Sequence, residues 1–122
     1  MRTFPQLMTA ITLATGLCLA GIAHAQAVVV NGDLWMSSTP EARKAFLVGA
    51  SNMIAMETAY AQRKGTTPPP VGTMATKAVQ GMTLDQVADR ITRWYHANPQ
   101  RQQVPVMGVL WIDIVKPTAS GQ

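Results

Sequence analysis

The stretch PEARKAFLVGASNMIAMETAYAQRKG, residues 40–65, decides the fold class. Its apolar residues recur at spacings of three and four, which is the period of an α-helix with one buried face. That face comprises Phe46, Ala50, Met53, Ile54 and Ala61, with Leu47 and Tyr60 on its flanks. Ser38 or Thr39 can cap the start, Pro40 suits the first helical position, and Gly65 suits a helix stop. We therefore predict a long helix over residues 40–64.

A second helix is predicted to begin after Thr83. Thr83 and Gln86 have the spacing of a capping box, in which each side chain accepts a hydrogen bond from the other residue's backbone N–H. The apolar residues that follow lie on one stripe: Leu84, Val87, Ala88, Ile91, Trp94 and Tyr95. Asn98 precedes Pro99, and a residue before proline resists the helical conformation, so the helix should end there.

The last element, residues 104–116, is almost entirely apolar. Its composition favours a strand, whereas its length and Pro105 near its start favour a helix. A strand would find a β-like partner only in residues 28–30, so we predict a buried helix and keep the strand as the alternative. Residues 73–79 fit either a short helix or an extended piece. The tail after Pro117 should fray.

These elements predict an all-α fold, a small bundle of about three helices preceded by a short extended arm. The arm covers residues 26–39, the helical domain residues 40–116, and a flexible tail residues 117–122. A chain of 122 residues allows one small domain, which excludes two-lobed enzymes and large barrels.

Residues 1–25 have the pattern of a secretory signal peptide. Arg2 gives a positive start, residues 7–22 are apolar or small, and Ala23 and Ala25 occupy the −3 and −1 positions of a cleavage site before Gln26. The apolar stretch is shorter than the roughly 20 residues of a membrane span, so we expect cleavage and export to the periplasm, without stable membrane insertion. The alternative is an uncleaved anchor. Cys18, the only cysteine, lies within this stretch.

The charge pattern argues against nucleic acid as a partner. The net charge is +4, but the lysines and arginines are scattered along the sequence, whereas nucleic-acid binders cluster them on one face. Without Cys18 the exported chain has no cysteine, so its stability must come from its core or from pairing with another subunit.

The residues needed for catalysis are sparse. His96 is the only histidine after the predicted cleavage site, and no nucleophile elbow or nucleotide-binding loop occurs. One histidine makes a zinc site improbable, and dispersed methionines favour core filling over copper binding, Met53 and Met107 falling where core is needed. We therefore predict a non-enzymatic protein with no cofactor and no metal. The competing hypothesis is an enzyme that uses Glu57 or Asp113 with His96.

Two carboxylates stand beside apolar sequence. Glu57 borders the apolar face of the first helix, and Asp113 interrupts the apolar closing element. A charge withdrawn from water needs a partner, and Arg90 or Arg93 on the middle helix can supply it. A structural ion pair or a surface position is the simpler interpretation. The alternative is a polar spot in a groove or interface that recognises a ligand.

A recognition patch is predicted at the end of the middle helix. Trp94, Tyr95, His96 and Arg101 lie next to the break at Asn98. Tryptophan, tyrosine and arginine commonly anchor protein interfaces. Packing in the core explains Trp94 equally well.

The order of the motifs resembles that of a group of small secreted bacterial proteins. These motifs are Trp35 with Ser37 and Ser38, the run KAFLVG at 44–49, GMTLDQ at 81–86, Trp94 with Tyr95, the Asn98-Pro99 turn, and VPV at 104–106. In this layout the chain is similar to the Tai-type immunity proteins, which neutralise peptidoglycan amidase effectors of type VI secretion, although it lacks the cysteines that many of them carry. The resemblance implies an all-helical, non-enzymatic periplasmic protein that binds a protein partner, with a homodimer as one state, and it transfers no inhibitory residue. The alternative function is a membrane-anchored small accessory subunit of an envelope complex.

Overall fold

The computed structural model describes residues 28–121. The predicted signal peptide, its cleavage site and Cys18 lie outside the described residues. The described chain forms α1 (Gly32–Ser37), α2 (Pro40–Lys64), α3 (Pro70–Ala78) and α4 (Leu84–Ala97), then a 3₁₀ turn (Pro99–Arg101). It ends in a continuous closing helix made of α5 (Val106–Val109), a π-helical segment (Leu110–Val115) and α6 (Lys116–Ser120). The predicted all-α class is confirmed for these residues.

The capping and stop residues predicted from the sequence are found at the ends of α2 and at the start of α4. Thr39 caps α2 through a hydrogen bond that its side chain accepts from the backbone N–H of Ala42, and Gly65 ends the helix with a left-handed φ of 66°. At α4 the Thr83 backbone N–H donates to the Gln86 side chain at 2.8 Å, and the Gln86 N–H donates to the Thr83 hydroxyl at 3.1 Å. Both helices therefore begin where the sequence predicts.

Two regions that the sequence left ambiguous are helical. Residues 73–79 lie mainly in α3, which begins at Pro70 and ends at Ala78. The apolar run after residue 104 forms the closing helix and buries Val106, Val109, Leu110, Ile114 and Val115 against the other helices. The predicted buried helix is confirmed and the strand alternative is wrong. Between residues 28 and 121 no helix is both long and apolar enough to cross a membrane.

The closing helix continues past Pro117 to Ser120, whereas the sequence predicted a fraying tail from that proline. Proline has no N–H to donate to the carbonyl four residues earlier, which here is the carbonyl of Asp113. Arg90 supplies the missing donor, since its Nη2 bonds to the Asp113 carbonyl oxygen. The π-helical segment ends at Val115, and the N–H of the next residue, Lys116, donates to the Trp111 carbonyl. A partner on α4 thus allows the helix to run through the proline.

The predicted N-terminal arm contains a helix and belongs to the fold. The side chain of Asn31 accepts a hydrogen bond from the Leu34 N–H and caps α1. The Gly32 N–H donates to the Gln102 carbonyl at 2.7 Å, and the Val30 carbonyl accepts from the Val106 N–H at 2.8 Å. These bonds attach Val30 and the first residue of α1 to Gln102 and to the first residue of the closing helix.

The core lies where α1, α4 and the closing helix meet α2. Its largest fully buried side chains are Trp35, Tyr95, Ile91, Ile114, Val106, Val109 and Val115. In α2 only Leu47 and Ala61 are buried. The prediction that Met53 and Met107 fill the core is wrong, because 53% and 40% of these residues are exposed. Leu47, predicted on the flank, takes the central position.

Candidate functional site

Tyr95 does not belong to an exposed patch. It is 1% exposed, and its hydroxyl donates to the Val104 carbonyl at 2.7 Å. Burial raises the pKa of Tyr95 from 10.0 to about 12. The prediction that Tyr95 takes part in recognition at the surface is therefore wrong, because position 95 faces the core together with Ile91.

Trp94 is half-buried at the end of α4, between the core and the surface. Its ring meets the Tyr95 ring edge to face, with centroids 5.4 Å apart. The guanidinium carbon of Arg101 lies 5.0 Å from the Trp94 ring centroid, within the range of a cation–π contact. The structure thus brings together two predicted site residues, because Arg101 lies over the Trp94 ring. That ring is in turn packed against the buried Tyr95.

Asp113 meets Trp94 at the same surface depression, which Arg93 and Asn98 also border. Asp113 accepts a hydrogen bond from Arg90 Nε at 2.8 Å, which confirms one of the two partners expected from the sequence. We call this surface the Trp94 patch and define it by these residues: Arg90, Arg93, Trp94, Asn98, Arg101 and Asp113.

The charge of the Trp94 patch is positive. The carboxylate of Asp113 is matched by Arg90. Within residues 28–121, Arg93 and Arg101 form no salt bridge. Asn98 caps the C-terminal end of α4, and its side-chain amide donates a hydrogen bond to the Trp94 carbonyl at 2.8 Å. The patch therefore offers an indole ring and two arginines that no carboxylate of the described chain neutralises.

His96 and Glu57 lie apart from this surface. His96 is exposed in the last turn of α4 and does not border the depression. Glu57 is exposed on α2, where it borders another depression with Met56 and Tyr60. The structure does not bring Glu57 into one pocket with Asp113. Residues 28–121 also contain no group of three histidine, cysteine or acidic side chains placed to hold a metal ion.

A second surface, which the sequence analysis missed, is apolar. A groove of about 180 Å³ runs between α2, α3 and the closing helix; its apolar lining includes Leu47, Ile54, Ala75, Val79, Met82 and Leu110. Beside it, α2 carries a row of residues that we call the α2 stripe: Phe46, Gly49, Met53, Met56 and Tyr60. Phe46 is half-buried at one end of this row, where its ring meets the buried Trp35 ring edge to face. Three of these residues, Met53, Met56 and Tyr60, are 53%, 60% and 64% exposed. In the prediction from sequence, Phe46 and Met53 of this row lie on the core face and Tyr60 on its flank, and Gly49 and Met56 are not assigned.

Comparison of this chain with protein-family models, with curated proteins and with solved structures finds no match. The resemblance to the Tai-type immunity proteins therefore stays a hypothesis.

Proposed function

We propose that this protein is a non-enzymatic binding module of the bacterial periplasm that recognises a protein partner through the Trp94 patch. The observation that carries the proposal is the half-buried Trp94 ring with Arg101 on it and Arg93 beside it, neither arginine having a carboxylate partner in the described chain. A ring fixed by the core can bind with little loss of conformational freedom. Tryptophan and arginine are the residues that most often dominate binding energy at interfaces.

The charge of the patch selects the kind of partner. Arg93 and Arg101 attract carboxylates, and arginine binds a carboxylate through two parallel hydrogen bonds. An acidic surface on another protein fits this chemistry. The Arg90–Asp113 pair adds no net charge to the patch, because each side chain neutralises the other. It joins α4 to the closing helix at this surface.

The specific form of the proposal is an immunity-like role, in which the partner is an enzyme that degrades the cell wall. It rests on the resemblance in motif order and on the predicted signal peptide, which would place the chain in the compartment of such enzymes. The alternative, a membrane-anchored accessory subunit, requires the N-terminal segment to stay attached. The intact mass of the protein purified from cells separates the two: a start at Gln26 supports the soluble module, and a retained segment in the membrane fraction supports the anchored subunit.

The test is capture of the partner followed by measured affinity. The tagged chain is expressed in its own host, a stoichiometric partner is isolated from envelope extract, and its affinity is measured by calorimetry for the wild type and for Trp94→Ala and Arg93→Glu. We expect each substitution to weaken binding by about 30-fold or more, which is the loss typical of an interface hot spot. Binding should also weaken with added salt, since exposed charges are screened.

Gln62→Glu is the control, because it adds one negative charge at an exposed position on α2, outside the Trp94 patch. Thermal melting of each variant checks that the fold is intact. Equal affinity for the wild type, Trp94→Ala and Arg93→Glu would remove the Trp94 patch from the proposal. If the partner cleaves peptidoglycan, an equimolar amount of the chain should stop the cleavage; continued cleavage would remove the immunity-like role and leave the binding module.

A further inference from the structure

We propose that α2 pairs with α2 of a second copy of this chain, antiparallel, through the α2 stripe. The stripe lies on a different surface from the Trp94 patch, so this inference stands whatever that patch binds. Contiguous exposed apolar side chains mark interaction surfaces in soluble proteins. The following observations select a second copy as the partner.

The first observation is the distribution of apolar residues around α2. The inward row, which includes Leu47 and Ala61, packs on the core, whereas Met53, Met56 and Tyr60 expose more than half of their surface. A helix that is apolar on several sides is normally covered on several sides. The stripe also alternates spacings of three and four from residue 46 to residue 60, the repeat that keeps a seam against a neighbouring helix.

The second observation is Gly49, in the middle of α2 and within the stripe. A Cβ built at Gly49 meets no atom within 4 Å, and its φ is not in the left-handed region. Glycine in a helix interior costs about 1 kcal/mol relative to alanine. Nothing within the described chain requires a glycine here. Close approach of another backbone does require one, because a glycine has no side chain to hold the second helix away.

The third observation is shape. Phe46, Gly49, Met53 and Met107 border one apolar depression beside the stripe. Tyr60 projects from the same row and is 64% exposed. When two α2 helices are antiparallel with the two-fold axis near Met53, Tyr60 of the second copy faces Phe46 and this depression. The reciprocal contact is identical, as a two-fold interface requires.

The fourth observation is the charge at the ends of α2. Glu41 lies in its first turn, and Arg63 and Lys64 lie in its last turn. Arg43 and Lys44 also lie near the start of α2, but Arg43 bonds to the carbonyls of Trp35 and Met36, and Lys44 pairs with Asp85. An antiparallel pair places the exposed Glu41 of each helix beside Arg63 and Lys64 of the other. A parallel pair would place like charges together, which is unfavourable. The helix is therefore complementary to itself in the antiparallel orientation.

The length of α2 is sufficient for a stable contact. A helix of 25 residues is about 37 Å long. Two such helices packed along their length, with Met107 bordering the stripe, bury on the order of 1,000 Å² in total, which is the lower bound for a specific interface.

The experiment measures the mass of the purified full chain by sedimentation and by light scattering, from low to high micromolar concentration. The wild type should approach twice the chain mass. Met53→Glu should raise the dissociation constant by about 100-fold or more, because two carboxylates would meet at the two-fold axis. Gly49→Leu should also abolish pairing, because its side chain would hold the second helix away. The fold should survive, since leucine is a strong helix former and the position has open space around it.

Charge reversal tests the orientation. Glu41→Arg or Arg63→Glu alone should weaken the dimer about two- to tenfold, and the double substitution should restore it. Crosslinking provides a second measurement: Met53→Cys should form a disulfide between copies, whereas Val48→Cys, exposed on another face of α2, should not, each in a Cys18→Ser chain. A chain that stays monomeric throughout, a dimer insensitive to Met53→Glu, or crosslinking through Val48→Cys alone would each overturn the proposal. A monomer that buries the stripe against a different protein would overturn the second copy as the partner.

Discussion

Gly32 is the position where one added methyl group should test the packing of the N-terminal segment. A Cβ at Gly32 would lie 2.6 Å from the Oε1 of Gln102 and 2.6 Å from the Cε1 of Tyr95. Tyr95 cannot move aside easily, because it is 1% exposed and its hydroxyl is bonded to Val104. The Gly32 N–H is also bonded to the Gln102 carbonyl, which limits movement of the backbone. Gly32→Ala must therefore displace packed atoms or break these bonds.

Overpacking of this kind costs about 1–3 kcal/mol. For a domain of this size, the melting temperature should fall by about 5 to 20 °C. Gly49→Ala is the matched control: the added methyl group meets nothing within 4 Å, and alanine favours the helix by up to about 1 kcal/mol. Thermal and urea unfolding followed by circular dichroism, at concentrations low enough to keep the chain monomeric, should give changes of opposite sign. Equal stabilisation by the two substitutions would refute the tight contact of Gly32 with Tyr95.

The remaining predictions concern α4. Thr83→Ala should lower the free energy of unfolding by about 1 kcal/mol, measured by urea titration, because the Gln86 N–H loses its acceptor; an unchanged midpoint would mean that the cap is dispensable. The buried Tyr95, with its pKa raised from 10.0 to about 12, favours the neutral form in the folded state, so its contribution to stability is complete below pH 10 and is lost as the pH rises towards 12. Ultraviolet titration of the wild type against Tyr95→Phe isolates this phenol, and a Tyr95 midpoint at its ordinary value would contradict its burial.

Local signals explain why much of the fold was predictable. Thr39 and Gly65 bound α2, and Thr83 with Gln86 starts α4, because each satisfies backbone groups within a few residues of itself. The continuation of the helix through Pro117 was not predictable in this way. It depends on Arg90, which is distant in sequence and supplies a donor to the carbonyl that the proline leaves without one.

The candidate site was predictable only in part, for a related reason. Periodicity places Trp94 and Tyr95 on the same stripe. Only the folded chain brings Gly32 and Val104 against the Tyr95 ring and hydroxyl, so that Tyr95 is buried while Trp94 stays half-buried. The pairing of Arg90 with Asp113 could be anticipated from charge alone. Met53 was misassigned to the core face because it is adjacent in the helical period to the residues that do pack on the core, and the sequence does not say which of two neighbouring apolar rows finds a partner within the chain.

Trp35 shows which of the motif residues are explained by folding alone. It is 1% exposed, its indole N–H donates to the Thr92 hydroxyl at 2.9 Å, and its carbonyl accepts from Arg43 Nε at 2.8 Å. Trp35 therefore joins α1 to α2 and α4. Its ring is buried, and its indole N–H has a hydrogen-bond acceptor. From residue 28 onward the sequence has no cysteine to fasten this segment, so buried contacts must do it. Since packing accounts for Trp35 and Tyr95, a hypothesis about recognition has to rest on aromatic rings that packing leaves at least partly accessible, such as Trp94 on α4 and Tyr60 on α2.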